Sequence, residues 1–128
     1  MFARRFAVEV TTTAGGAATV YTGEPVNGEV LTITYVPHAS TPLDTGADIV
    51  VTGEITGTAI LTKANIGTST VSWAPRQPTH KVADGAAALY ASGGEAVNDR
   101  IAIAGERIKI VVAQGGNVLQ GTFHVTVG

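Results

Sequence analysis

The sequence predicts an all-β chain, an antiparallel β-sandwich or small barrel of about eight strands with one long irregular loop, on three observations. Apolar and polar residues alternate with period two in segment after segment, as in Arg107-Ile108-Lys109-Ile110 and in Thr122-Phe123-His124-Val125-Thr126-Val127. Glycine, 16 of 128 residues, punctuates these segments at short intervals. No stretch carries the apolar stripe of an amphipathic helix.

Taken in order, Phe6, Val8 and Val10 alternate with Ala7, Glu9 and Thr11 and give a first strand ending at Ala14-Gly15-Gly16. A shorter strand is expected from about 17 to 22. Gly23-Glu24-Pro25 and Asn27-Gly28 then read as turn signals, Asn-Gly because both residues tolerate left-handed backbone. Leu31, Ile33 and Tyr35 alternate with Thr32 and Thr34, so residues 28–36 form a strand that Pro37 stops. Residues 38–46 read as a loop. From Asp48 the alternation resumes, with Ile49, Val51 and Ile55 assigned to one side and Asp48, Thr52, Glu54 and Thr56 to the other. Gly57 marks a turn or bulge, and residues 58–61 are the partner strand. Residues 65–69 reverse the chain, and Val71 and Trp73 make a short strand ended by Pro75.

Residues 75–98 are the least regular part, read as an extended loop in preference to a short helical turn around 86–91. Ile101 and Ile103 begin another strand, joined by a turn at Ala104-Gly105-Glu106 to the closing unit. That unit, residues 105–127, reads as two long strands in a hairpin with its turn at Gln114-Gly115-Gly116-Asn117, its apolar face packed on the rest of the chain.

The length suits one domain spanning 1–128, with 1–5 either a flexible arm or an ordered strand. A formal charge of −2 and eight scattered Lys and Arg supply no basic field for phosphates, so nucleic acid is not an expected partner. Charged residues make up 14 % of the chain against the usual value of about 25 %, which suits a subunit packed against others. With no cysteine, disulfides and thiolate metal sites are excluded. The first ten residues do not build a signal-peptide core, since Glu9 interrupts them, and no run approaches the length of a membrane span. The expectation is a soluble protein that is not exported by the general secretory route, with no membrane partner.

Leu43-Asp44-Thr45-Gly46 resembles the active-site tripeptide of retroviral-type aspartic proteases, in which two Asp-Thr-Gly loops meet in a dimer and share a proton. The context departs from that family. Gly105 opens an alternating strand where a helix should begin, and a proline-interrupted loop precedes Asp44 in place of an apolar strand. The plain alternative is an Asx-type turn before a strand. His38, His80 and His124 stand in separate segments with no His-x-x-x-His pair, so surface imidazoles are expected and no metal or cofactor is assigned. The glycine pairs lie in turns, none of them opening a helix, and no Gly-x-Ser-x-Gly elbow occurs. No catalytic residue is assigned. Trp73, Arg76 and Tyr90, at or near the irregular segment, are the candidate partner contacts, since exposed aromatics with an arginine anchor proteins or sugar rings. The alternative for Trp73 is core filling at a strand end, which leaves Arg76 as the surface residue.

Across Val26 to Gly128 the chain resembles small virion-associated proteins of tailed bacteriophages and prophages. PVNGEVLTITYV, DIVVTGEITGTAILTKANI, STVSWAPRQPTH and above all NDRIAIAGERIKIVVAQGGNVLQGTFHVTVG carry the resemblance. It implies a non-enzymatic structural subunit located in the virion, a decoration or cementing protein of the head that contacts the major capsid protein as a homotrimer. A neck or tail component is the alternative in the same class; an aspartic protease using Asp44 and a carbohydrate-binding module are alternatives from other classes.

Overall fold

The computed structural model describes residues 2–128. Eleven strands and no helix occur among them: β1 Arg4–Thr11, β2 Ala18–Tyr21, β3 Val26–Pro37, β4 Asp48–Gly53, β5 Ala59–Lys63, β6 Val71–Trp73, β7 Gln77–Pro78, β8 Asn98–Asp99, β9 Ile101–Glu106, β10 Ile108–Ala113 and β11 Gln120–Val127. One antiparallel sheet runs β1-β11-β3-β6, with β9 paired to the first part of β3 ahead of β6. The other runs β2-β10-β4-β5. The all-β expectation holds, and the core lies between the two sheets.

Alternation decides which residues enter that core. On β11, Phe123, Val125 and Val127 are buried while Thr122, His124 and Thr126 face outward. On β10 and β4, Ile108, Ile110, Val112, Ile49 and Val51 point in from the opposite layer. Tyr35 and Phe123 meet at 5.2 Å between ring centroids, and each buried side chain of this size contributes about 1.5–3 kcal/mol.

The closing unit is not a hairpin. β10 pairs with β2 and β4, whereas β11 pairs with β1 and β3, so the two strands face each other across the core. Alternation leaves each strand one apolar face in either arrangement, but an arch lets both faces bury against each other. Gln114, Gly116 and Val118 take positive φ in the connecting loop. Most other connections also change sheets, and the three buried polar residues sit at such crossings. Between β1 and β2, Thr12 Oγ1 donates to Gly116 O (2.8 Å) and accepts from Leu119 N (2.9 Å). Between β2 and β3, Thr22 Oγ1 accepts from Ile108 N (3.1 Å) and donates to Glu24 O (3.0 Å). Between β9 and β10, Glu106 accepts from Ile55 N (2.8 Å), Thr56 N (3.0 Å) and Thr56 Oγ1 (2.8 Å). Each supplies partners to backbone groups that leave one ladder before joining the next.

Other local expectations change for similar reasons. Asn27-Gly28 is no turn: β3 runs through it, and Gly28, at φ 129°, sits in a bulge against the main chain of Gly128. Ile55 is exposed because β4 ends at Gly53, where Gly53 N donates to Thr58 O (3.0 Å) and the chain turns back into β5. Glu106 closes β9 with its side chain inward, not in a surface turn. Arg4 and Arg5 belong to β1, paired with Val127 and Thr126, and of the segment 1–5 only Met1 lies outside the described residues.

Candidate functional site

Two features stand outside the sandwich body, and the three candidate contact residues divide between them. The first is a groove where the sheets end side by side. β6 lasts only three residues before Pro75, and β5 is the last strand of the opposite sheet, so both are edge strands. The groove, about 540 Å3, is lined by residues 60–63 from β5 and 72–76 from β6 and its exit. Trp73 is half-buried, pairs with Ile33 and packs against the core while lining the groove. Arg76 is exposed at the rim and donates to its neighbour Pro75 O (2.8 Å). Lys63 and Arg76 are the only charged residues in the lining, and neither is in a salt bridge among the described residues.

The second feature is residues 77–99, an arm closed at its base by the β7–β8 pair. It is neither helical nor structureless. Thr79 N donates to Val97 O (2.8 Å), Val97 N to Ala88 O (2.8 Å) and Ala88 N to Thr79 O (2.7 Å), so three chain segments bond in a cycle. The contacts repeat along the sequence: Lys81 N donates to Ala86 O (2.7 Å), and nine residues on, Tyr90 N donates to Glu95 O (3.0 Å). Gly85 and Gly93, at φ 73° and 72°, turn the chain between the segments. The run Ala86-Ala87-Ala88 has high helix propensity. Here Ala87, Ala88, Ala96 and Val97 are half-buried where the segments meet, and side chains of this size let three backbones approach.

Among the side chains that the arm turns outward are three large apolar ones. Val82 is 104 % exposed, Tyr90 75 % and Leu89 44 %. Isolated apolar side chains on a surface are ordinary; these three lie within nine residues of one element. The arm also holds the molecule's charge imbalance. Lys81 against Asp84, Glu95 and Asp99 gives it −2, the formal net charge of the whole chain, so the remaining seven basic and seven acidic residues balance. Tyr90 is thus a contact candidate in the arm's second turn, and Trp73 and Arg76 belong to the groove.

The other sequence candidates fall elsewhere. Asp44 is exposed in the β3–β4 loop, its N–H bonded to Gly115 O (3.0 Å) and its carbonyl accepting from Ala47 N (3.0 Å), so the turn before β4 is closed by the backbone and not by the aspartate side chain as an Asx turn would be. His38 Nδ1 accepts from the backbone N–H groups of Ser40 and Thr41, both at 3.2 Å. His80 is in the arm, and His124 is half-buried on the outer face of β11 between Ala7 and Thr34, its Nδ1 covered and without a partner among the described residues. Among the described residues no three His, Asp or Glu side chains group as a metal site would require.

The groove was missed in the sequence because Lys63 and Arg76 come together only through the pairing of two sheets. The cyclic arm had one legible signal, two turn segments at equal spacing, KVADGA and YASGGE.

No family model and no curated protein matches the sequence. Among solved structures, the chain is similar to one described as "Crystal Structure of FLHE", at 12 % identity and TM-score 0.47 over 99 % of this chain and 98 % of that one.

Proposed function

We propose that the chain is a non-enzymatic structural subunit of a tailed-phage-type virion, acting by contact as a decoration or cementing protein of the head. The observation that carries this reading is the arm, a small hydrogen-bonded element with no residue in the buried core that exposes Val82, Leu89 and Tyr90 within nine residues of chain, whereas the other exposed large apolar residues, Phe2, Val36, Val50, Ile55 and Val118, come from separate strands and loops of the body. An element that buries so little of itself contributes little to the body, whereas an apolar tip on a bonded scaffold is pre-organised for a partner. The resemblance to virion-associated proteins supplies the partner class, the major capsid protein, and a homotrimer as the assembly. A neck or tail position serves the same chemistry.

Co-sedimentation with isolated heads tests the assignment. Binding to assembled heads and not to free major-capsid subunits is expected; recovery with the tail fraction alone would move the protein to the tail, and failure to bind either would end the reading.

A further inference from the structure

The arm and the groove are complementary surfaces on one chain. The groove lining carries Lys63 and Arg76 with no carboxylate, beside the half-buried Trp73, while Ile60 and Pro75 are buried. The arm carries −2, with exposed Leu89 and Tyr90 close in sequence to Glu95. Asp84 is already engaged with Lys81 at 4.0 Å, whereas Glu95 has no salt bridge among the described residues. Within one chain the groove is lined only by residues up to Arg76, so the arm does not fill the groove at its own base.

We propose that the groove between β5 and β6 receives the arm of a second copy of this chain, with Glu95 set against Lys63 and Arg76. Donor and acceptor are different patches, so the contact is head-to-tail, and it either closes into a ring or continues as a filament. A ring is the form that gives the trimer of the proposed function, on which this inference rests. Charge pairing sets register and partner choice.

The test is a charge exchange followed by sedimentation equilibrium on the full chain. The unmodified protein is expected to sediment as a closed trimer. Lys63→Glu with Arg76→Glu, and separately Glu95→Lys, are expected to raise the dissociation constant about tenfold or more, and mixing the two exchanged proteins is expected to restore association. All of these residues are exposed, and unchanged circular dichroism and melting temperature establish that each variant is folded. A protein that stays monomeric at every concentration, reversals that leave association unchanged, or a mixture that fails to recover it would overturn the arm-to-groove contact. Head co-sedimentation separates the two readings: a monomer that still binds heads sinks this contact alone, and a charge-dependent trimer that ignores heads sinks the decoration role alone.

Discussion

The carboxylate of Glu106 occupies the space that a side chain at Gly53 would need: a Cβ built on Gly53 would overlap Glu106 Oε1. Glu106 ends β9 in one sheet and Gly53 ends β4 in the other, so this contact ties the layers together where the chain crosses. The backbone N–H of Thr56, with the Thr56 hydroxyl and Ile55 N–H, holds the Glu106 carboxyl below the ordinary carboxylate range against the opposing effect of burial. The Arg107 guanidinium does the same for Glu54, bonding it through Nε at 2.9 Å while lying 4.4 Å from the centre of the Tyr21 ring. Both folded-state values are depressed, so the stabilisation is complete above the unfolded carboxyl value of about 4.3 and is lost as pH falls through the folded values.

Urea unfolding should therefore show a midpoint that is flat from pH 7 to about 5 and falls at lower pH. Glu106→Gln should lower the midpoint at pH 7 and make the acid fall shallower. An acid limb of unchanged slope in the variant would remove Glu106 from this account.

Tyr35 is fully buried, with its hydroxyl accepting from Leu43 N at 3.2 Å, and burial pushes its phenol above the ordinary value. This bond fixes the loop that carries Leu43, itself fully buried, into the core. Tyr35→Phe should cost about 1–3 kcal/mol, because it leaves the Leu43 N–H buried without a partner. Denaturant midpoints measure the cost, and a neutral result would mean that the loop finds another acceptor.

Val118 holds φ 51°, a left-handed conformation that a β-branched residue rarely adopts, and it is 54 % exposed in the loop between β10 and β11. The strain is about 1–2 kcal/mol, and little buried area offsets it. Val118→Asn should raise stability by up to about 1 kcal/mol, since asparagine tolerates this backbone and the bond from residue 118 N to Thr13 O at 3.2 Å is unaffected. A lower melting temperature would show that the valine side chain contributes contacts that outweigh its strain.

Most of the strands could be read from alternation, because period-two patterning fixes which face of each strand is apolar. It does not say which sheet the strand joins. Ile108, Ile110 and Val112 are as consistent with a hairpin to β11 as with the opposite layer, and the deciding features are the sheet-crossing contacts of Thr12, Thr22 and Glu106, which connect residues far apart in sequence. Asn27-Gly28 misled for a related reason: a glycine needed at positive φ serves a bulge as well as a turn. Of the candidate contacts, the exposure of Arg76 and Tyr90 followed from their place in an irregular segment. Their division between a groove and an arm did not, since the alanine-rich run gives no local sign of a cyclic arrangement.

The arm is the part on which the functional reading depends, and none of its residues belongs to the buried core. Replacing residues 77–99 with a short glycine–serine link and measuring co-sedimentation with isolated heads tests that reading most directly. The account predicts a folded protein, with a melting temperature within a few degrees of the parent, that no longer pellets with heads. Undiminished head binding by the armless protein would contradict it.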